Sequence, residues 1–191
     1  MLDIDMEGNK RIERPVYRIE TDSYEGIIRS VSDIFKSKKY QSDEMVNKLS
    51  ITVGFPQFKY EDVCINKEQV SLEPDEVQFP LFMTAKISKG GVSSTGKAYR
   101  SSKLYTIIEM AGLLPEFTTT VLPQLNAIED KEEKAKKFLD WLRDKIVGRK
   151  VKGLIELKKG TKGEYSRLKD INRFIDENSE LVEGEETVNP D

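Results

Sequence analysis

Residues 148–174 read GRKVKGLIELKKGTKGEYSRLKDINRF, and no other stretch constrains the fold as much. It predicts two strands, roughly Lys150 to Lys158 and Glu164 to Ile171, joined through Lys159-Gly160-Thr161-Lys162-Gly163. Two glycines in those five residues supply the positive φ angles that a hairpin turn needs. Val151, Ile155 and Leu157 alternate with Lys152, Glu156 and Lys158, with Gly153 in phase and Leu154 out of it. Tyr165, Arg167 and Lys169 alternate with Ser166, Leu168 and Asp170. Nine Lys or Arg stand against three Asp or Glu between Gly148 and Arg173, so the hairpin is strongly basic.

A two-stranded hairpin needs further strands to bury its apolar face, and the preceding chain supplies them. Tyr24 to Phe35 reads as a strand in which Gly26 marks a bulge or a close approach. Lys36 to Asn47 is polar and reads as a loop, with a lone Tyr40. Lys48 to Phe58 is a second strand that Pro56 stops or leaves at an edge. Val63 and Ile65 suggest a short strand, and Glu73-Pro74-Asp75-Glu76 a turn. Phe79 to Ser88 is a third strand, followed by an exposed glycine- and serine-rich loop over Lys89 to Arg100.

The period then changes. Leu104, Ile107, Ile108 and Ala111 fall at helical spacing, Ser101 or Ser102 can cap the start, and Gly112 sits where a C-cap belongs. Leu113 to Ile128 is apolar and interrupted by prolines, and its sequence assigns no element. Asp130 to Ile146 is a second helix, opened by a capping box of Asp130 and Glu133. Trp141 flanks its apolar stripe and reads as a packing residue.

The element order is therefore three strands, a helical segment and two strands. It predicts a mainly β fold with a helical insert at 101–146, a five-stranded OB-like Greek-key barrel. A generic α+β sandwich has the same elements. The organisation expected is a flexible arm over 1–16, one domain over 17–175 and an acidic disordered tail over 176–191.

Composition excludes several chemistries. There is no histidine, which removes Ser-His-Asp and Cys-His nucleophilic machinery and HExxH metal sites. Cys64 is the lone cysteine, so no intrachain disulfide or usual structural zinc site forms. Neither GxxxxGK[ST] nor GxGxxG occurs, and no cofactor is expected. The charged N-terminus carries no apolar signal segment and no apolar run spans a bilayer, so a cytoplasmic protein without membrane contact is expected. The tail holds seven acids and no base; without it the chain carries 31 basic and 27 acidic residues, a net of +4. A basic body with an acidic tail is one form that nucleic-acid-binding proteins take.

Three motifs carry a family resemblance: Tyr24-Glu25-Gly26-Ile27-Ile28 opening the first strand, Ser102-Lys103-Leu104-Tyr105 running to Ala111-Gly112-Leu113, and the closing hairpin from Gly148 to Ile171. In their order and spacing the chain resembles the small single-stranded-DNA-binding proteins of bacteriophages and related mobile elements. That resemblance implies an OB-fold that coats single-stranded DNA during replication or recombination, with no enzymatic activity. It also implies that the acidic tail reaches replication or recombination proteins, although this tail lacks a terminal aromatic residue.

Such binding needs cations along the phosphates and aromatic faces under the bases. For phosphates the candidates are Lys38, Lys39, Lys97, Arg100, Lys152, Lys158, Lys159, Lys162 and Arg167. For stacking they are Tyr40, Phe55, Phe58, Tyr99 and Tyr165. Phe55 and Phe82 also fit a core, and a lysine-rich hairpin is often only a solvated face. Two other functions compete: a structural or adaptor protein of a phage or mobile element that binds protein partners, and, less favoured, a carboxylate-dependent nuclease.

Overall fold

The computed structural model describes residues 14–70 and 75–175. Most of the expected arm and all of the acidic tail lie outside these residues, as do Glu73 and Pro74 of the expected turn. The strands are β1 (Asp22–Val31), β2 (Phe35–Lys38), β3 (Met45–Phe55), β4 (Val77–Thr84), β5 (Gly91–Val92), β6 (Ala98–Tyr99), β7 (Lys150–Gly160) and β8 (Gly163–Phe174). The helices are α1 (Tyr60–Val63), α2 (Lys103–Met110), α3 (Leu114–Glu116), α4 (Leu122–Asn126) and α5 (Lys131–Ile146).

The protein is mainly β, built on one antiparallel sheet. β3 is central: β1 and β2 pair in succession along one of its edges, and β4 pairs along the other. β7 pairs with β1, and β8 with β7. Across the sheet the order is β4, β3, β1 with β2, β7, β8. The expected barrel closure is not made by hydrogen bonds. β4 and β8 approach each other, but among the described residues they share no ladder.

Side chains and flanking segments fill that seam instead. α2 touches both β4 and β8. Farther along, the Tyr17 carbonyl accepts from Ser166 N–H at 2.8 Å, while the Tyr17 ring packs edge-on against Phe79 at 5.5 Å. The Ser166 hydroxyl accepts from Ile19 N–H at 2.7 Å and donates to Ile19 C=O at 2.9 Å. These bonds tie the chain ahead of β1 to β8.

Alternation explains the core. In β4, Val77, Phe79, Leu81 and Met83 are buried while Gln78, Pro80, Phe82 and Thr84 face outward. Phe55 has no exposed surface, and its ring lies over two glycines. A Cβ on Gly26 would stand 2.9 Å from that ring, and one on Gly153 would stand 3.0 Å away. The close approach expected at Gly26 is thus the seat of a core aromatic. Two register shifts in the β7–β8 ladder, at Lys152/Gly153 and Leu154/Ile155, bring Ile171 as well as Leu168 inward.

Several local expectations need correction. The first strand breaks at 32–34, where α5 clamps it: Arg143 Nε donates to Val31 C=O at 3.0 Å and the guanidinium pairs with Asp33 at 2.7 Å. The expected loop over 36–47 is a hairpin of β2 and β3, because four residue pairs from Phe35↔Lys48 to Lys38↔Met45 align its polar arms. Val63 ends helix α1, and Cys64 makes a single bridge to Tyr17, in place of a strand over 63–65. The loop over 89–100 folds back as the short β5–β6 arm. Leu113 to Ile128 is almost continuously helical: α3 and α4 flank a π-helical turn, Phe117–Val121; Pro115 sits in the first turn, where its missing donor costs nothing, and Pro123 follows directly on the π turn. In the closing turn Gly160 pairs with Gly163, and of these two only Gly163 has positive φ, at 116°.

The helix ends follow their expected chemistry. Ser102 accepts from Tyr105 N–H at 3.2 Å, Gly112 adopts a φ of 72°, and Asp130 accepts from Glu133 N–H at 2.7 Å. Trp141 packs between Phe117 and Phe138 at 5.6 and 6.1 Å.

Candidate nucleic-acid interface

At one end of the sheet Lys48 pairs with both Phe35 and Thr84, so these side chains share a row on one face. Phe82, two residues before Thr84, shares that outward parity. Its ring meets Phe35 edge-on, at 6.2 Å and 90°. Phe82 is 54 % exposed and Phe35 38 %, which leaves a solvent-facing aromatic pair on an otherwise polar sheet surface.

Two hairpins leave the sheet at this same end. The β2–β3 hairpin carries Tyr40 at its tip, 85 % exposed, and Gln41 with positive φ closes the turn. The β5–β6 arm follows β4 and is riveted at its base to the start of α2. Ser102 N–H donates to Ser88 C=O at 2.9 Å, Ser102 Oγ accepts from Ser88 N–H at 3.0 Å, and Ser101 Oγ accepts from Gly90 N–H at 2.8 Å. Tyr99 stands out from this arm, with its hydroxyl over Gly91.

Charge concentrates around the aromatic pair. Residues 77–108 contain Lys86, Lys89, Lys97, Arg100 and Lys103 and no acid. A cleft of about 380 Å³ brings Phe82, Thr84, Lys86, Arg100, Ser102 and Lys103 together. Lys86, Lys97 and Arg100 form no ion pair among the described residues, while Lys103 pairs with Asp170 at 3.4 Å. Lys48 donates to the Lys38 carbonyl at 3.3 Å.

The expected site residues divide accordingly. Tyr40, Lys38 and Lys39 on one hairpin and Lys97, Tyr99 and Arg100 on the other flank the aromatic pair. Lys38 and Lys39 carry local counter-charges, Asp43 at 3.1 Å and Glu44 at 3.5 Å. Phe55 lies wholly in the core and offers no face to a base. Phe58 is half-buried against Tyr24 at 4.9 Å and Phe55 at 6.4 Å, because its turn folds back over the sheet end.

Lys152, Lys158, Lys159, Lys162, Tyr165 and Arg167 belong to β7–β8, whose turn extends past the start of β1 (Asp22 pairs with Ile155). The β2–β3 tip lies beyond the opposite end of β1, so the register separates these two sets. On the β7–β8 face Glu156 alone draws in Arg167 at 2.9 Å, Lys169 at 3.6 Å and Lys158 at 3.8 Å, while Lys152, Lys159 and Lys162 form no ion pair among the described residues, so the hairpin keeps an excess of positive charge. Tyr165 lines a cleft of about 800 Å³ beside the β4–β8 seam, with Arg14, Arg29, Glu76 and Pro80.

Phe35, Phe82, Lys48 and Lys86 were not among the expected site residues; two signals mark Phe82 and Lys86, while Phe35 and Lys48 join them only through the strand register. Val77-x-Phe79-x-Leu81-x-Met83 assigns the inner face and leaves Phe82 outside, and the acid-free run over 77–108 marks the basic side.

Among the described residues no group of His, Cys, Asp or Glu could hold a metal ion, and no helix is long and apolar enough to cross a membrane. Compared with known proteins, the chain matches no family model, no curated protein and no solved structure.

Proposed function

We propose that this protein binds single-stranded DNA without sequence preference and protects it during replication or recombination, as a non-enzymatic protein of a phage or mobile element. The observation that carries the reading is the exposed Phe35–Phe82 pair, set in a basic surface between two hairpins. Aromatic faces stack any base, and cations that follow the backbone are indifferent to sequence. Lys48, Lys86 and Arg100 stand where phosphates flanking a stacked base would run.

We infer also that the sheet is an OB-type barrel left open at one seam. Counting β1 and β2 as one bent strand, the order third, second, first, fourth, fifth is that of the OB fold, and β4 and β8 are the strands that would close it. α2 lies between the third and fourth strands in sequence and covers the gap. In this reading the pair spans the second strand, with Phe35 on the first and Phe82 on the third, beside the second- and third-strand face where OB folds bind oligonucleotides.

A gel-shift with fluorescent oligo-dT at about 50 mM and about 200 mM salt tests the proposal. Binding that weakens with salt and is lost in Phe35→Ala/Phe82→Ala, with thermal stability retained, is the expected result. No binding at the lower salt would overturn it in favour of an adaptor that binds protein, and metal-dependent cleavage of the oligonucleotide would establish an enzyme instead.

A further inference from the structure

Behind the sheet end that carries Phe35 and Phe82, the helical layer leaves an apolar groove. Its floor is Ile34, Ile87, Leu104, Leu125 and Phe138, and its volume is about 260 Å³. An adjoining recess of about 310 Å³ shares Ile87 and Leu125 and continues toward Phe117. Lys131 and Lys134 rim the first cavity, and Lys134 and Lys89 the second. None of these three lysines makes an ion pair among the described residues. Glu132 and Glu133, on the same turn of α5, do not line either cavity. The surface therefore asks for an apolar side chain or two inside an acidic segment.

Both terminal stretches outside the described residues mix apolar and acidic side chains: 1–13 holds four acids and two bases, and the tail is the more acidic. Residues 176–191, DENSELVEGEETVNPD, hold seven acids and no base, and Leu181-Val182 is their one adjacent apolar pair, with Glu180 and Glu183 on either side. The described chain ends close to the far end of α5. Ile175 N–H donates to Lys150 C=O at 2.9 Å, and the Arg149 guanidinium lies 4.5 Å from the centre of the Phe174 ring. From Ile146 back to Lys134 along α5 is about 18 Å at the helical rise. Six residues, Asp176 to Leu181, extend to about 20 Å, and the eleven to Glu186 to about 36 Å. Phe138 lies eight residues back from Ile146, about 12 Å along α5, so Leu181-Val182 reaches the Phe138 end of the groove and the glutamates from Glu183 to Glu186 extend toward Lys134.

We propose that the groove formed by Ile34, Ile87, Leu125 and Phe138 is the docking site of the chain's own acidic segment around Leu181-Val182. Burial of the apolar pair supplies the affinity, and the unpaired lysines select the acidic flanks and hold them in place. This inference is independent of the nucleic-acid reading: the groove lies on the helical side of the strands and includes neither Phe35 nor Phe82.

The test uses the full chain and two variants, Leu181→Asp/Val182→Asp in the tail and Lys131→Glu/Lys134→Glu at the rim. Amide resonances of Ile87, Leu125, Lys134 and Ala135 should shift in the tail variant relative to the parent chain. A glutamate-specific protease should cleave after Glu183 about tenfold faster in both variants, since cleavage follows the undocked population. A Lys158→Glu/Lys159→Glu control should leave that rate unchanged. Shifts confined to the tail, shifts at Phe35, Phe82 and Arg100 instead of the groove, or an equal cleavage rate in the rim variant would overturn the proposal. So would groove shifts that appear only at high protein concentration, since these would assign the groove to a second copy's tail.

Discussion

The ring of Phe82 stands edge-on to that of Phe35, 6.2 Å away across the end of β3, and both remain exposed. Two aromatic rings left in water cost stability that a buried pair would recover, so the arrangement invites a ligand. In Phe82→Ala, affinity for oligo-dT should fall by about tenfold or more, in line with roughly 1–3 kcal/mol per stacked base. Fluorescence anisotropy reads the affinity, and thermal denaturation should show a change of no more than about 0.5 kcal/mol, as for other surface substitutions.

Phe55 gives the converse. It has no exposed surface and packs over Gly26 and Gly153. Phe55→Ala should cost about 3–5 kcal/mol of stability, the range for a deleted core aromatic. Gly26→Ala should also destabilise, by about 1–3 kcal/mol, because its Cβ would lie 2.6 Å from Val53 Cγ1 in a packed core. Chemical denaturation measures both. A stable Phe55→Ala protein with weakened DNA binding would mean that the ring reaches the ligand.

The cations divide by position. Arg100 lines the Phe82 cleft and has no acidic partner among the described residues, whereas Lys158 shares Glu156 with Arg167 and Lys169 at the other end of β1. Arg100→Ala should lower the slope of log affinity against log salt by about 0.7, the amount for one phosphate contact on a single strand. Lys158→Ala should change the slope far less. Equal effects of the two substitutions would show that the strand also follows the β7–β8 hairpin.

How much of this was legible in the sequence depended on the range of the interactions involved. The closing hairpin, the alternation in β4 and the caps at Ser102 and Asp130 follow from local rules, and the structure has them at those residues. The β2–β3 hairpin and the β5–β6 arm did not show, since polar strands held by a few residue pairs lack apolar alternation. The break in the first strand depends on Arg143, more than a hundred residues away, so no local pattern announces it. Sorting the aromatics needed register. Phe55 and Phe82 both lie in strands: the alternation in β4 sets Phe82 outward, whereas Phe55 is seated in the core by two glycines on paired strands far away in sequence. The electrostatic sorting was equally hidden, because the acids that occupy Lys38 and Lys158 are chosen by the fold.

The pair between Arg29 of β1 and Glu76, at the entry to β4, should make stability depend on pH. Its carboxylate, 13 % exposed, accepts from Arg29 at 2.6 and 3.0 Å and from Gln78 at 3.1 Å. The hydrogen bonds from Arg29 hold the Glu76 carboxyl below its ordinary range; burial opposes this, and Gln78 and the Arg29 charge add to it. A carboxylate whose pKa is lower folded than unfolded contributes stability that is fully present above the unfolded value, about 4.3, and is lost as the pH falls through the folded one. Arg29 is partly solvated, at 41 % side-chain exposure, so the contribution should be modest, about 1 kcal/mol. Arg29→Gln should therefore lower stability by that amount at neutral pH, and the two proteins should converge in acid as Glu76 takes up its proton. Urea denaturation from neutral pH down to about pH 3 checks this, and a gap that persists unchanged into acid would show that Arg29 acts through packing and not through its charge.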